Sequence, residues 1–265
     1  MIRITSATNA RVKELLKLKK QSKYRQEQGV YLVEGIRMCK EAPIHEIGQI
    51  WVSDSFQEQH PEFANEFEMV RTFYEVPDEI FQRLSDTQHP QGVLCVMRQK
   101  RYEIGLILKQ EHPLLMVLDH LQDPGNVGTI LRAGEAAGVT GVILSAGCAD
   151  IYNPKVIRST MGSIYRMPFV YVEDLPEVLE ELKRRGIHCY AAHLEGKNSY
   201  DRESYVKGSA FLIGNEGNGL SEEVAACADI RIRIPMLGQV ESLNAAAAAT
   251  VLMFEAARQR REEIG

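Results

Sequence analysis

The sequence offers little from which a covalent or metal framework could be built. Its five cysteines, Cys39, Cys95, Cys148, Cys189 and Cys227, are odd in number, widely spaced and free of CxxC pairs. That excludes a disulfide scaffold and the usual zinc spacing, and leaves small buried hydrophobes as their expected role. The seven histidines form no ligand cluster, so no metal is expected. No apolar run approaches the roughly 18 to 20 residues of a membrane-spanning helix, and the first residues lack the apolar core of a signal peptide. No membrane partner and a cytoplasmic location are therefore expected. There is also no GxxxxGK[ST] loop, and no GxGxxG element opens a first βαβ unit, so a generic phosphate-cradling nucleotide-binding protein fares poorly.

What is present is ordinary globular material, 45% hydrophobic and 25% charged over 265 residues. At about 100 to 200 residues per domain, that length predicts two units. The net charge of −5 argues against nucleic acid only as an average. The first 40 residues carry ten Lys or Arg against three Glu, a local excess of seven positive charges. Such a leader suits a phosphate-facing surface, although a solvated helix face gives the same composition.

Periodicity predicts an amphipathic helix over residues 10–24, with Val12, Leu15 and Leu16 on one side and lysines elsewhere. Strands follow at 30–33, 49–53 and 93–97, with helices at 35–42 and 78–84, a small α/β unit. The polar stretch 98–112 before Pro113 marks the joint, so the domains are expected at 1–105 and 106–265. Beyond it, strands at 114–119, 141–145, 169–172, 188–192, 210–214 and 230–234 alternate with helices at 127–137, 154–160, 175–185 and 221–227. A last helix is expected from Ser242 to about Arg260. Alternation of this kind implies a mostly parallel sheet covered on both faces.

Parallel sheets bind ligands beyond the carboxyl ends of their strands. Three loops fit: residues 119–128, the glycine-rich 214–219, and 234–244. Each leaves a strand and enters a helix. Singly, each is also an ordinary turn or capping segment; their joint occurrence in one α/β unit favours a site.

In order and spacing the three loops resemble the three motifs of the SpoU (TrmH) family within the SPOUT methyltransferase superfamily. The first carries Asn126-Val127-Gly128 and Arg132 in an Asn-x-Gly-x-x-x-Arg pattern. The second is the run from Leu212 to Leu220, and the third includes Ile234-Pro235-Met236 and Ser242-Leu243-Asn244-Ala245. The likeness covers the whole second unit. The basic leader followed by residues 30–35 is similar to the ribosomal-protein-like α/β/α substrate-binding domain of the ribosomal-RNA branch.

The resemblance implies an α/β fold of two parts: a small N-terminal α/β/α domain, and a C-terminal, mostly parallel-sheet SPOUT domain with a trefoil knot near its C-terminus. It also implies a homodimer and methyl transfer from S-adenosyl-L-methionine to a ribose 2′-hydroxyl of structured RNA. Ribosomal RNA is favoured over transfer RNA, and a non-catalytic RNA- or ribosome-binding protein is the alternative from another class.

By the same likeness Gly214, Ile234, Met236 and Leu243 hold the cofactor, while Asn126, Arg132, Glu216, Ser242 and Asn244 form the catalytic set. Arg132 suits a phosphate clamp, because a guanidinium stays protonated and makes a poor base. Asn126 can hold the ribose hydroxyl, fix Arg132 or close a local turn. Glu216 can order Arg132, a loop amide or a water. Ser242 can cap the last helix while Asn244 faces the site. Arg11, Lys13, Lys17 and Lys20 are the expected RNA contacts. The Ala-rich last helix suits either a subunit interface or burial within one chain.

Overall fold

A computed structural model describes residues 1–264, folded as two compact units. One comprises Met1–Lys100 together with Asp150–Tyr165; the other comprises Arg101–Ala149 and the chain from Arg166 on.

The first unit is built on a five-stranded mixed sheet. Its strands are β1 (Ile2–Arg3), β2 (Val30–Glu34), β3 (Ile47–Ser53), β4 (Phe73–Val76) and β5 (Val93–Arg98), in spatial order β1-β4-β3-β5-β2. Its helices are α1 (Ala10–Lys20), α2 (Ser22–Gln28), α3 (Ile36–Glu41), α4 (Asp54–Gln59) and α5 (Asp78–Leu84). The side chain of Asn9 caps α1 by accepting from the Arg11 amide at 2.9 Å. Val12, Leu15 and Leu18 enter the core beside Trp51, Tyr74, Phe81 and Leu94, whereas Leu16 is only half-buried. Strands β1 and β4 and helix α4 add to what the sequence predicts. The two-residue β1 is too short to show alternation.

The second unit begins with the short α6 (Ile104–Ile107). Its sheet contains β6 (Leu114–Leu118), β7 (Gly141–Ser145), β8 (Phe169–Val172), β9 (His188–Ala192), β10 (Asn198–Ser199), β11 (Ser209–Ile213) and β12 (Ile230–Arg233). They lie in the order β10-β12-β9-β11-β6-β7-β8, and every pairing is parallel. The helices are α7 (Pro124–Ala137), α8 (Pro154–Thr160), which belongs to the first unit, α9 (Leu175–Arg184), α10 (Glu222–Ala226) and α11 (Ala245–Ile264).

β6, β7 and β11 are buried at every position, as expected of a parallel sheet covered on both faces. Helix α7 has the full set of end signals: Asp123 as cap, Pro124 in its first turn and Gly138 in the left-handed region just past its end. The last helix starts at Ala245, three residues later than the sequence predicts, and the reason lies in the site. Among the described residues no helix is long and apolar enough to cross a membrane, and no His, Cys, Asp or Glu cluster could hold a metal ion.

Candidate functional site

The neighbouring strands β6 and β11 point their carboxyl ends the same way, and β12 lies one strand further on, beyond β9. The three loops leave these ends. In the first, Asp123 rather than Asn126 does the local work: its Oδ1 accepts from the Asn126 amide at 2.8 Å and caps α7. The Asn126 side chain, buried at the start of α7, is thereby free to bond across loops, and it does so in both directions.

Asn126 Nδ2 donates to Glu216 Oε1 at 2.9 Å, and Asn126 Oδ1 accepts from Asn244 Nδ2 at 2.9 Å. Asn244 in turn places its Oδ1 over the first turn of α11, accepting from the amides of Ala246 at 2.9 Å and Ala247 at 3.2 Å. The orientation of both carboxamides follows. Backbone N–H groups require the oxygen of Asn244 on one side, so its NH₂ faces Asn126. A carboxylate requires the NH₂ of Asn126, so its oxygen faces Asn244. One residue from each loop thus joins a directed chain, Asn244 to Asn126 to Glu216.

Glu216 also accepts from the amides of Asp123 at 3.1 Å and Gln122 at 3.4 Å, just ahead of the α7 N-terminus. Burial pushes its carboxyl up, but hydrogen bonds from Asn126, its own amide, Asp123 and Gln122 outweigh this and hold it below the ordinary glutamate value. Of the partners the sequence leaves open for Glu216, loop amides are realised. The loop is braced further by Asn215, whose Nδ2 donates to the carbonyl of His120 at 2.9 Å and whose Oδ1 accepts from Gly217 and Asn218. Gly214 permits the fold-back: a Cβ there would lie 2.1 Å from Gly219 C and from Leu220 N.

Asn244, not Ser242, caps the last helix, which corrects the division of roles read from the sequence and explains the later start. Serine and asparagine are comparable caps, so propensity alone could not separate them. Ser242 is exposed at the mouth of the helix, Leu243 is exposed, and Ile234 and Met236 are half-buried. Among the described residues, the stretch 235–243 forms no hydrogen bond, while Leu237 and Val240 are exposed. A stretch of open backbone donors and acceptors flanked by apolar side chains suits a ligand with apolar faces and polar edges, such as a nucleoside. S-adenosylmethionine has that character.

Arg132 is not drawn into this network. It lies on the exposed face of α7 and has no hydrogen-bond or ion-pair partner among the described residues. In the first unit, Lys13, Lys17 and Lys20 recur on one exposed face of α1. Arg11 stacks over Tyr74 at 5.2 Å and Lys17 over Tyr24 at 5.4 Å. The residues that sequence reading passes over are braces: Asp119, Asp123 and Asn215. Asp123 carried a signal, because an Asp before Pro at a helix start is a cap pattern. Asp119, buried with Oδ2 accepting from the Ser221 amide at 2.8 Å, carried none.

The architecture has close relatives. Residues 113–254 match the SpoU rRNA Methylase family, and residues 9–95 match the MRM3-like substrate binding domain. The chain is 31% identical, over 96% of its length and 98% of the relative's, to the 23S rRNA (guanosine(2553)-2′-O)-methyltransferase RlmP of Bacillus subtilis. It is 32% identical to the 23S rRNA (uridine(2479)-2′-O)-methyltransferase of Streptomyces viridochromogenes, over 97% and 92% of the two chains. Among solved structures, the SpoU methyltransferase AviRb from Streptomyces viridochromogenes in complex with AdoMet superposes with a TM-score of 0.86 at 29% identity, covering 96% of this chain and 98% of that one.

Proposed function

Because this chain belongs to the SpoU rRNA methylase family, we propose that its three-loop site is the methyl-transfer centre and that the residues joined there divide the work. The chain is an S-adenosylmethionine-dependent RNA methyltransferase that modifies ribose 2′-hydroxyls of ribosomal RNA. The fold is that of SpoU methyltransferases, for which a deep trefoil knot is characteristic. The observation that carries the site assignment is the chain of hydrogen bonds from Asn244 through Asn126 to Glu216, which unites loops distant in sequence.

When bound, S-adenosylmethionine supplies an electrophilic methyl group, so the protein's task is alignment, charge placement and removal of one proton. Gly214, Ile234, Met236 and Leu243 hold the cofactor. Asn126, fixed from both sides, orients the acceptor ribose, and Glu216 and Asn244 hold Asn126 in register. Ser242 contacts the acceptor from the mouth of α11. Arg132 clamps a phosphate beside the target ribose, for which an unpaired, exposed guanidinium is suited. Arg11, Lys13, Lys17 and Lys20 bind the RNA backbone, so residues 1–105 act as the RNA substrate-binding domain and 106–265 as the methyltransferase domain. The protein works as a cytoplasmic homodimer, with the exposed Phe254 of α11 at the contact.

The test is genetic. Ribosomal RNA from a deletion strain should lack one alkali-resistant linkage that wild type restores and Arg132→Ala does not. Unchanged methylation after deletion would refute the assignment.

A further inference from the structure

His120 follows β6 in the left-handed region, with φ at 52°, where a non-glycine side chain is strained. Its backbone and ring are pinned from three directions. Its N–H donates to Ser145 Oγ at 2.9 Å, its carbonyl accepts from Asn215 Nδ2 at 2.9 Å, and its Nδ1 meets Asp119 Oδ1 at 2.7 Å. The ring is more than half exposed, and it lies so close to Gly147 that a Cβ there would come within 2.2 Å of the ring Cδ2. The fold thus spends strain, a buried carboxylate and a glycine on holding one exposed imidazole at the end of a strand that feeds the site.

The proton positions follow from the partners. Asp119 accepts on both oxygens, from the Ser221 amide and from His120, so His120 Nδ1 carries hydrogen. Nε2 is left with its lone pair and without a partner among the described residues. His193 has the opposite arrangement: its Nδ1 accepts from the Glu195 amide at 3.1 Å, which puts its proton on Nε2. The other polar groups of the site cannot take a proton readily. Asn126 and Asn244 are carboxamides, Ser242 is a hydroxyl, the guanidinium of Arg132 is already protonated, and Glu216 is committed to three N–H donors.

Resting on the reading of this site as the methyl-transfer centre, we propose that Nε2 of His120 accepts the proton of the ribose 2′-hydroxyl. The hydroxyl oxygen forms its bond to the methyl carbon while the carbon–sulfur bond breaks. That electron pair stays on sulfur, and the hydroxyl proton passes to Nε2. The Asp119 carboxylate holds the imidazole in the required tautomer and stabilises the imidazolium that forms.

Two measurements on the full-length protein test this. The first is independent of turnover: diethyl pyrocarbonate should modify His120 in the free protein, read by mass spectrometry, and unmethylated ribosomal RNA without cofactor should protect it. Continued modification at saturating RNA would overturn the proposal. The second is single-turnover methyl transfer by His120→Gly, chosen because glycine accepts the left-handed backbone. The rate should fall on the order of 100-fold, RNA and cofactor affinities should stay within about twofold of wild type, and added imidazole should restore part of the rate. A wild-type rate in His120→Gly, or a loss that imidazole does not rescue, would overturn the role of His120 alone. Absence of transfer by the wild-type protein would overturn the reading of the site and this assignment with it.

Discussion

The side-chain amide of Asn244 donates to the side-chain oxygen of Asn126 at 2.9 Å across 118 positions of sequence, while its own oxygen caps α11. Asn126 is thereby held between a donor, Asn244, and an acceptor, Glu216. Asn244→Asp keeps a capping oxygen but presents a second acceptor to Asn126, so whichever way that carboxamide turns, one contact is lost. The melting temperature of Asn244→Asp should stay near wild type while single-turnover transfer falls at least about tenfold. Asn244→Ala should lose activity and also about 1 kcal/mol of stability through the missing cap. Thermal melts and transfer rates on the same samples check both, and full activity in Asn244→Asp would remove Asn126 from the mechanism.

Glu216 gives a prediction with a sign. Its carboxyl is pushed up by burial and brought below the ordinary 4.5 by the hydrogen bonds from Asn126, its own amide, Asp123 and Gln122. A carboxyl lowered by folding stabilises the folded loops above its unfolded value, and that contribution disappears as pH falls through the lowered folded value. The bond between the first and second loops should therefore be intact at neutral pH and open only below about 4.5. Hydrogen exchange at the amides of Gln122 and Asp123 should show the loss there. In Glu216→Gln these amides should be less protected than in wild type at neutral pH, and the difference should vanish as pH falls below about 4.5.

The second loop should discriminate between two of its own glycines. Gly214→Ala puts a methyl group 2.1 Å from the backbone at Gly219 and Leu220, so the loop must shift, at a cost of roughly 1–3 kcal/mol. A Cβ at Gly217 meets nothing nearer than Asn215 Oδ1 at 3.5 Å. Calorimetry should show cofactor affinity reduced at least about tenfold in Gly214→Ala and nearly unchanged in Gly217→Ala.

Arg132 and the α1 lysines should separate chemistry from affinity. Arg132 has no partner among the described residues, so Arg132→Ala should leave the melting temperature alone while transfer drops sharply. The triple variant Lys13→Ala, Lys17→Ala, Lys20→Ala should keep the single-turnover rate at saturating RNA. It should bind RNA more weakly and lower the slope of log affinity against log salt by about 0.7–0.9 per phosphate contact removed. An unchanged salt slope would move the RNA-binding surface elsewhere.

Much of this arrangement is legible in the sequence. The parallel strands of the second unit announce themselves as short apolar runs such as 114–118, and end signals such as Pro124 and Gly138 place α7. The three loops were identifiable because glycines and turn residues cluster at strand ends. What the sequence could not settle was which polar group faces which. Ser242 and Asn244 are interchangeable as caps by propensity, and Asn126 could have closed its own turn had Asp123 not done so. These choices depend on contacts across the 90 positions from Asn126 to Glu216 and the 118 to Asn244, which no local pattern records. The docking of residues 150–165 with the first unit is likewise non-local, fixed by pairs such as Arg25 with Asp150 at 2.5 Å.

The most direct test is transfer of labelled methyl from S-adenosylmethionine to unmethylated ribosomal RNA by wild-type protein and by Asn126→Ala, with products mapped by alkaline hydrolysis. The account predicts one alkali-resistant, labelled linkage with wild type and its loss in Asn126→Ala despite retained RNA binding. Label in an alkali-sensitive product, or an undiminished rate in Asn126→Ala, would contradict it.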